Sequence, residues 1–354
     1  QDQWHTLKGR NSSKTGWAGR VADVLASQLG NQQLATNVSL SGNTLFQASE
    51  TVSPYVMGAS GATTFSGFGA TGNSLARKQA VDAIAAASYG TVYERRFAAV
   101  QRRAIQFADT INAAIAAAPP LTTVFPTNNT LATQLQTVAK LIAVRDRLSM
   151  SRQVFFVSTG GFDTHDDLLA DQPTLLTTVS SAMAAFYDAT VELGVASNVT
   201  AFTQSDFGRT LTSNGDGSDH AWGGVHFALG GAVLGQKIYG TMPVLRINAT
   251  LASDGADDVS GGRFIPTTSS DQYAATLARW FGVNNTNLSV VAPSIGNFAT
   301  IEPMVPAGTS LQLSSTTRMS QPGIGTVAEP CLTGNSPRPT GLPAMHQPVS
   351  VCHQ

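Results

Sequence analysis

Val154-Phe-Phe-Val-Ser-Thr-Gly-Gly-Phe-Asp-Thr-His165 is the stretch from which the fold is read. Its first four residues form an uninterrupted apolar run, the pattern of a strand buried on both faces. Small residues follow, then Asp163 and His165. A second stretch repeats this order, with Val199-Thr-Ala-Phe202 leading into Ser205-Asp-Phe-Gly-Arg-Thr210. Between them, Leu175, Leu176, Val179, Met183 and Phe186 recur at helical spacing within 172–194, and Gly194 supplies an end signal. Strand, helix, strand is a βαβ unit. It predicts that residues 153–158 and 198–204 are adjacent parallel strands joined by a right-handed crossover. The fold class is therefore α/β, and in such folds ligands collect at the carboxyl ends of the strands.

Working outward, residues 1–30 read as a polar loop and then a helix with Trp17, Val21, Val24 and Leu25 inward. Residues 31–76 read as loops with short β pieces such as Val38-Ser-Leu40. From Ser74 to Ala118 the pattern is helical, with Phe97, Val100, Ala104, Phe107, Ile111 and Ile115 on one face, and Pro119-Pro120 ends it. Leu131, Leu135, Val138 and Ile142 are the buried stripe of a further helix. Together these helices make an accessory region over 75–148. A short strand is expected around Lys237-Ile-Tyr239, and a helix over 270–282 buries Tyr273, Leu277, Trp280 and Phe281. The domain is expected to span 1–306. The Pro-, Ser- and Thr-rich remainder, 307–354, reads as a loosely attached tail.

A chain of 354 residues can bury a large core. Its net charge of −1 offers no overall field for nucleic acid or an anionic membrane. Charged residues are 12%, against roughly 25% in an average domain, a composition associated with exported bacterial proteins. The expected location is periplasmic or secreted, although Gln1-Asp-Gln-Trp4 does not read as a signal peptide. No run approaches the roughly 20 apolar residues of a spanning helix. Cys331 and Cys352 both lie in the tail, where an oxidising compartment allows a bond between them. The core therefore uses neither thiol catalysis nor cysteine metal ligands.

Three clusters carry the chemistry. Asp163 and His165, two apart in an extended segment, point the same way and can reach one cation; the competing reading is an Asx turn with a surface histidine. Asp206 follows a strand and precedes Gly208, with Arg209 suited to a bidentate phosphate or sulfate contact; the competing reading is a surface Asp–Arg pair. In the third cluster, Ser218-Asp-His-Ala-Trp-Gly-Gly224, Asp219 and His220 follow the flexible Asn214-Gly-Asp-Gly217 stretch. His226, between Val225 and Phe227, reads as a core histidine and is carried with Arg209 as a candidate for catalysis. The metal candidates are Asp163, His165, Asp206 and His220. Mixed carboxylate and imidazole donors favour zinc, manganese or iron over calcium. Such a cation activates a nucleophile and neutralises charge on a phosphate or sulfate ester. A small-molecule or saccharide ester is the expected partner.

Gly160-Gly-Phe-Asp-Thr-His165, Ser205-Asp-Phe-Gly-Arg-Thr210, Asp219-His220-Ala-Trp222 and the run from Gly262 to Trp280 resemble the bacterial domain of unknown function 1501 family. Thr15-Gly-Trp-Ala-Gly-Arg20 and Val38-Ser-Leu-Ser-Gly-Asn43 match it too. That family is similar to the alkaline phosphatase and sulfatase superfamily. The resemblance implies a three-layer sandwich with a mostly parallel central sheet and a two-metal centre, and hence a metal-dependent hydrolase of phosphate or sulfate monoesters. Asp163/His165, Asp206 and His220 would take the superfamily's ligand positions. Phe207 stands where a histidine is common, so the second metal site would be incomplete. The resemblance also places the first metal-binding Asp and the nucleophile upstream of Gln1, leaving Ser12, Thr15, Ser158 and Thr210 as candidates. An exported binding protein with a degraded centre is the alternative.

Overall fold

In an extended segment neighbouring side chains leave on opposite faces, so an unbroken apolar run has to be covered twice. Phe155 and Val157 join one buried cluster, and Val154 and Phe156 join another. The computed structural model describes residues 2–9, 13–29, 35–247, 257–298 and 346–353. Its strands are β1 (Asn37–Ser39), β2 (Tyr55–Val56), β3 (Gln153–Gly160), β4 (Val199–Thr203), β5 (Gly208–Ser213), β6 (Ser218–Ala221), β7 (Ala228–Gly230) and β8 (His346–His353). Six of them form one sheet in the order β2-β1-β3-β8-β4-β7, and β5 and β6 form a separate ribbon.

Helices cover both faces of that sheet. In chain order they are α1 (Asp2–Thr6), α2 (Trp17–Leu25), α3 (Gly72–Ala86), α4 (Val92–Ala116), α5 (Thr130–Ala143), α6 (Leu168–Glu192), α7 (Ser270–Phe281) and α8 (Leu288–Val291). The cluster holding Phe155 is closed by Leu135 and Ile142 of α5 and by Met183 and Phe186 of α6. The cluster holding Phe156 is closed by Trp17 and Leu25 of α2, Trp280 and Phe281 of α7, and Val291 of α8. The chain is thus a mixed α/β fold. Because α5 builds the first core, only α3 and the outer half of α4 remain accessory within 75–148.

Asn129 caps α5, accepting from Ala132 N–H at 2.9 Å and donating to Thr178 O of α6 at 2.8 Å. Asn129→Ala removes both, and a urea melt should show a loss of about 1–2 kcal/mol. Glu192, at the end of α6, receives the N–H groups of Thr122 and Thr123 at 2.6 and 2.8 Å. Those bonds to the ionised form hold its carboxyl down to about 2. A depressed carboxyl stabilises the fold above its ordinary pKa and loses that contribution as pH falls through the folded value. Glu192→Gln should therefore flatten the stability–pH curve between about 4.5 and 2, and an unchanged curve would refute this.

The structure corrects several expectations. The sheet is not mostly parallel: β2, β1 and β3 form a parallel run, but β8 is antiparallel to both β3 and β4, and β7 is antiparallel to β4. Consequently β3 and β4 are not adjacent, because β8 lies between them. They still run the same way, since Gln153 and Val199 both face His353. Their carboxyl ends share one edge, which is what the site requires.

β8 also corrects the reading of the tail, whose last residues sit inside the sheet. Composition counts apolar side chains and misses a strand held by backbone pairing on two sides. Pro348 lies one residue beyond Val349, the last partner of β4, so its missing N–H falls where that ladder has ended. Residues 299–345, and with them Cys331 and its pairing with Cys352, lie outside the described residues, as does Ser12. The helix expected from Ser74 to Ala118 is two helices. Thr91-Val-Tyr-Glu94 is a capping box that starts α4 afresh, a signal present in the sequence. Residues 237–239 carry no strand; β7 is the short strand of that region.

Candidate metal centre

Past β3 the chain turns through Gly160-Gly-Phe to present Asp163 and His165 at the carboxyl edge of the parallel run. The ribbon brings the rest. β5 and β6 pair antiparallel with Arg209 directly opposite His220, so two residues eleven apart in sequence reach the edge together. The ribbon is seated on the first loop by Ser218 N–H to Thr164 O at 3.3 Å and by Arg209 Nη2 to Thr164 O at 2.7 Å. Gly217 makes this approach possible, since a Cβ there would lie 2.4 Å from the Thr164 carbonyl oxygen.

Three donors converge. His220 Nε2 lies 2.7 Å from Asp163 Oδ1, and His165 Nε2 lies 3.0 Å from the same oxygen. The two imidazole nitrogens are 3.2 Å apart. Ligand atoms about 2.0–2.1 Å from a tetrahedral zinc ion stand roughly 3.3 Å from one another, so the triad needs little expansion to hold one. Without a cation, a proton on His220 Nε2 bridges to Asp163; a bound cation would take its place among the same three donor atoms. Asp219 Oδ1 is 3.5 Å from His165 Nδ1. A carboxylate there favours the tautomer whose Nε2 is free to ligate. Phe207 stacks on His220, ring centres 4.0 Å apart and nearly coplanar in tilt at 6°, which fixes that imidazole's orientation.

Asp163 is a quarter exposed. Burial pushes its carboxyl up, but hydrogen bonds from His220 and Arg209 and the nearby imidazoles outweigh it, so it is held below the usual value. Asp163 is thus ringed by two imidazoles and a guanidinium.

The other sequence candidates are placed differently. Asp206 is outside the triad, and its Oδ1 accepts from Trp4 Nε1 at 3.1 Å. Arg209 spends four of its five N–H groups internally, on Asp163 Oδ1 and Ser218 Oγ at 3.0 Å each, on Thr164 O, and on Ser218 O. It anchors Asp163 and has a single N–H left, fewer than a bidentate anion contact needs. The His226 side chain reaches solvent, yet the protein packed around it lowers its pKa by desolvation, and its ring lies 6.2 Å from that of Tyr273 at 21°. Thr15 and Thr210 are buried. The Thr210 hydroxyl donates to Thr212 O at 2.8 Å and accepts from Asp219 N–H at 3.0 Å. Ser158 lies on β3, its main chain bonded to the Gln134 amide at 3.0 and 3.1 Å.

A family model described as a protein of unknown function, DUF1501, matches residues 55–293. This chain belongs to the DUF1501 family. The match takes in Asp163, His165, Asp206, Arg209 and His220, so the whole triad lies inside the DUF1501 domain. Thr15–Arg20 and Val38–Asn43, which carried part of the sequence resemblance, fall before the matched stretch. No curated protein and no solved structure matches the chain.

Proposed function

We propose that this DUF1501 protein is an exported, metal-dependent hydrolase of phosphate or sulfate monoesters, with an α/β frame related to that of alkaline phosphatases and sulfatases. The observation that carries the reading is the convergence of Asp163, His165 and His220 donors within 4.8 Å at the carboxyl edge of the sheet. This donor set suits zinc, with manganese or iron as alternatives. A divalent cation there supplies charge neutralisation for an anionic ester and lowers the pKa of water. The protein's own contribution is orientation. Arg209 fixes Asp163, Asp219 sets the His165 tautomer, and Phe207 braces His220. The Thr15 hydroxyl is buried, and the Thr210 hydroxyl is buried and engaged by main chain, which argues against these two as nucleophiles. The low charged fraction supports export.

A second reading has its own support. Asp206 is engaged by Trp4 and Arg209 is nearly saturated, so a two-metal centre is reduced to three donors. A binding protein retaining a single metal site fits that arrangement. Metal analysis of the purified chain, paired with nitrophenyl phosphate and nitrophenyl sulfate turnover, separates the readings. The hydrolase reading expects stoichiometric zinc or manganese and turnover that chelator abolishes and metal restores. Bound metal without turnover supports the binding protein, and absence of both sinks the metal centre itself.

A further inference from the structure

Only the inner half of the α4 stripe is covered. Ile111 is 1% exposed, whereas Tyr93, Phe97 and Val100 of the same face are 84%, 68% and 50% exposed. Steps of four and three keep these three on one side of the helix. At the hairpin tip Ile84 and Val92 add apolar surface, each 63% exposed. Single exposed apolar residues are ordinary, but a contiguous set marks an interaction site.

The charge around the stripe is one-sided. Residues 72–116 hold six of the chain's 21 Lys and Arg residues against three acidic ones. Among the described residues Arg96, Arg102 and Arg103 form no ion pair. Arg96 and Arg103 lie two turns apart along one flank of the stripe, and the Arg103 guanidinium rests 5.0 Å above the Phe107 ring.

The geometry points to the α3–α4 hairpin as a docking element for an anionic phospholipid surface. Every residue from Thr91 to Phe97 is exposed, so the tip stands in solvent. A symmetric pairing of two copies through this face brings like arginine flanks together, which opposes it. An anionic bilayer meets both features. The aromatic rings sit at headgroup depth, and the arginine stems reach outward to phosphates. The net charge of −1 for the whole chain conceals this local field.

Co-sedimentation of the full chain with extruded vesicles tests it. Binding is expected to vesicles of phosphatidylcholine with about one third phosphatidylglycerol, not to phosphatidylcholine alone, and should weaken with salt. The paired change Arg96→Gln and Arg103→Gln should cost roughly fivefold per arginine. Phe97→Ser, at an exposed position, should weaken binding roughly tenfold or more, while Val124→Ser, exposed elsewhere, serves as the control. Binding that ignores Phe97, or that is equal on both vesicles, overturns the proposal. So does the absence of vesicle binding, which leaves an acidic protein surface as the occupant, or a Phe97-dependent dimer in lipid-free solution.

Discussion

Asp163→Ala is expected to remove divalent-metal binding and any metal-dependent hydrolysis while leaving a folded chain. Both imidazole nitrogens and Arg209 converge on one oxygen of this side chain, at 2.7–3.0 Å, so its loss takes away a ligand and the point that assembles the others. The loss of affinity should exceed the roughly 10–100-fold typical of removing an outer hydrogen-bond partner, which is the effect expected for Asp219→Asn. Asp206→Ala should leave affinity nearly unchanged, because the Asp206 carboxylate is engaged by Trp4 outside the triad. Titration calorimetry with zinc on the three variants measures this order. Circular dichroism confirms that each folds, and Asp163→Asn, which keeps a hydrogen-bonding oxygen for Arg209, guards against a purely structural loss. An Asp206 variant as damaged as Asp163→Ala would restore the four-ligand site and reject the triad.

Deleting residues 346–354 should have the second large effect. β8 pairs with β3 from Gln153 to Gly160 and with β4 from Val199 to Thr203. Without it the facing N–H and C=O groups of two central strands lose their partners, and unpaired buried backbone groups cost about 1–3 kcal/mol each. The total is comparable to the ~5–15 kcal/mol by which a domain is stable at all. Soluble folded protein should be lost, or the urea midpoint should fall sharply. An unchanged midpoint would show that the strand is dispensable.

Much of the fold was legible because it rests on local periodicity. Leu131, Leu135, Val138 and Ile142 alternate at helical spacing and are all fully buried. Gly194 ends α6 at φ +69, and Ser269 with Gln272 opens α7 as a capping box. The stripe on α4 was read correctly as one face, but periodicity does not say whether anything covers a face. The fold leaves Phe97 and Val100 of that face in solvent. Of the site, the pair Asp163 and His165 was visible from their two-residue spacing past a strand. Asp206 was included on the same grounds and lies outside, because the position of a residue after a strand does not specify where its side chain finds a partner.

The sequence by itself determined the α/β class, the two buried strands, the helix between them, and the residue types able to bind a cation, because each depends on neighbours a few positions away. The tertiary structure alone decided that β8 separates β3 from β4, that the β5–β6 ribbon sets Arg209 against His220, and that Asp219 and Phe207 orient the two imidazoles. Those contacts join segments from eleven to 200 residues apart. They are selected by which backbone edges remain unpaired and which surfaces remain uncovered once the local elements have formed.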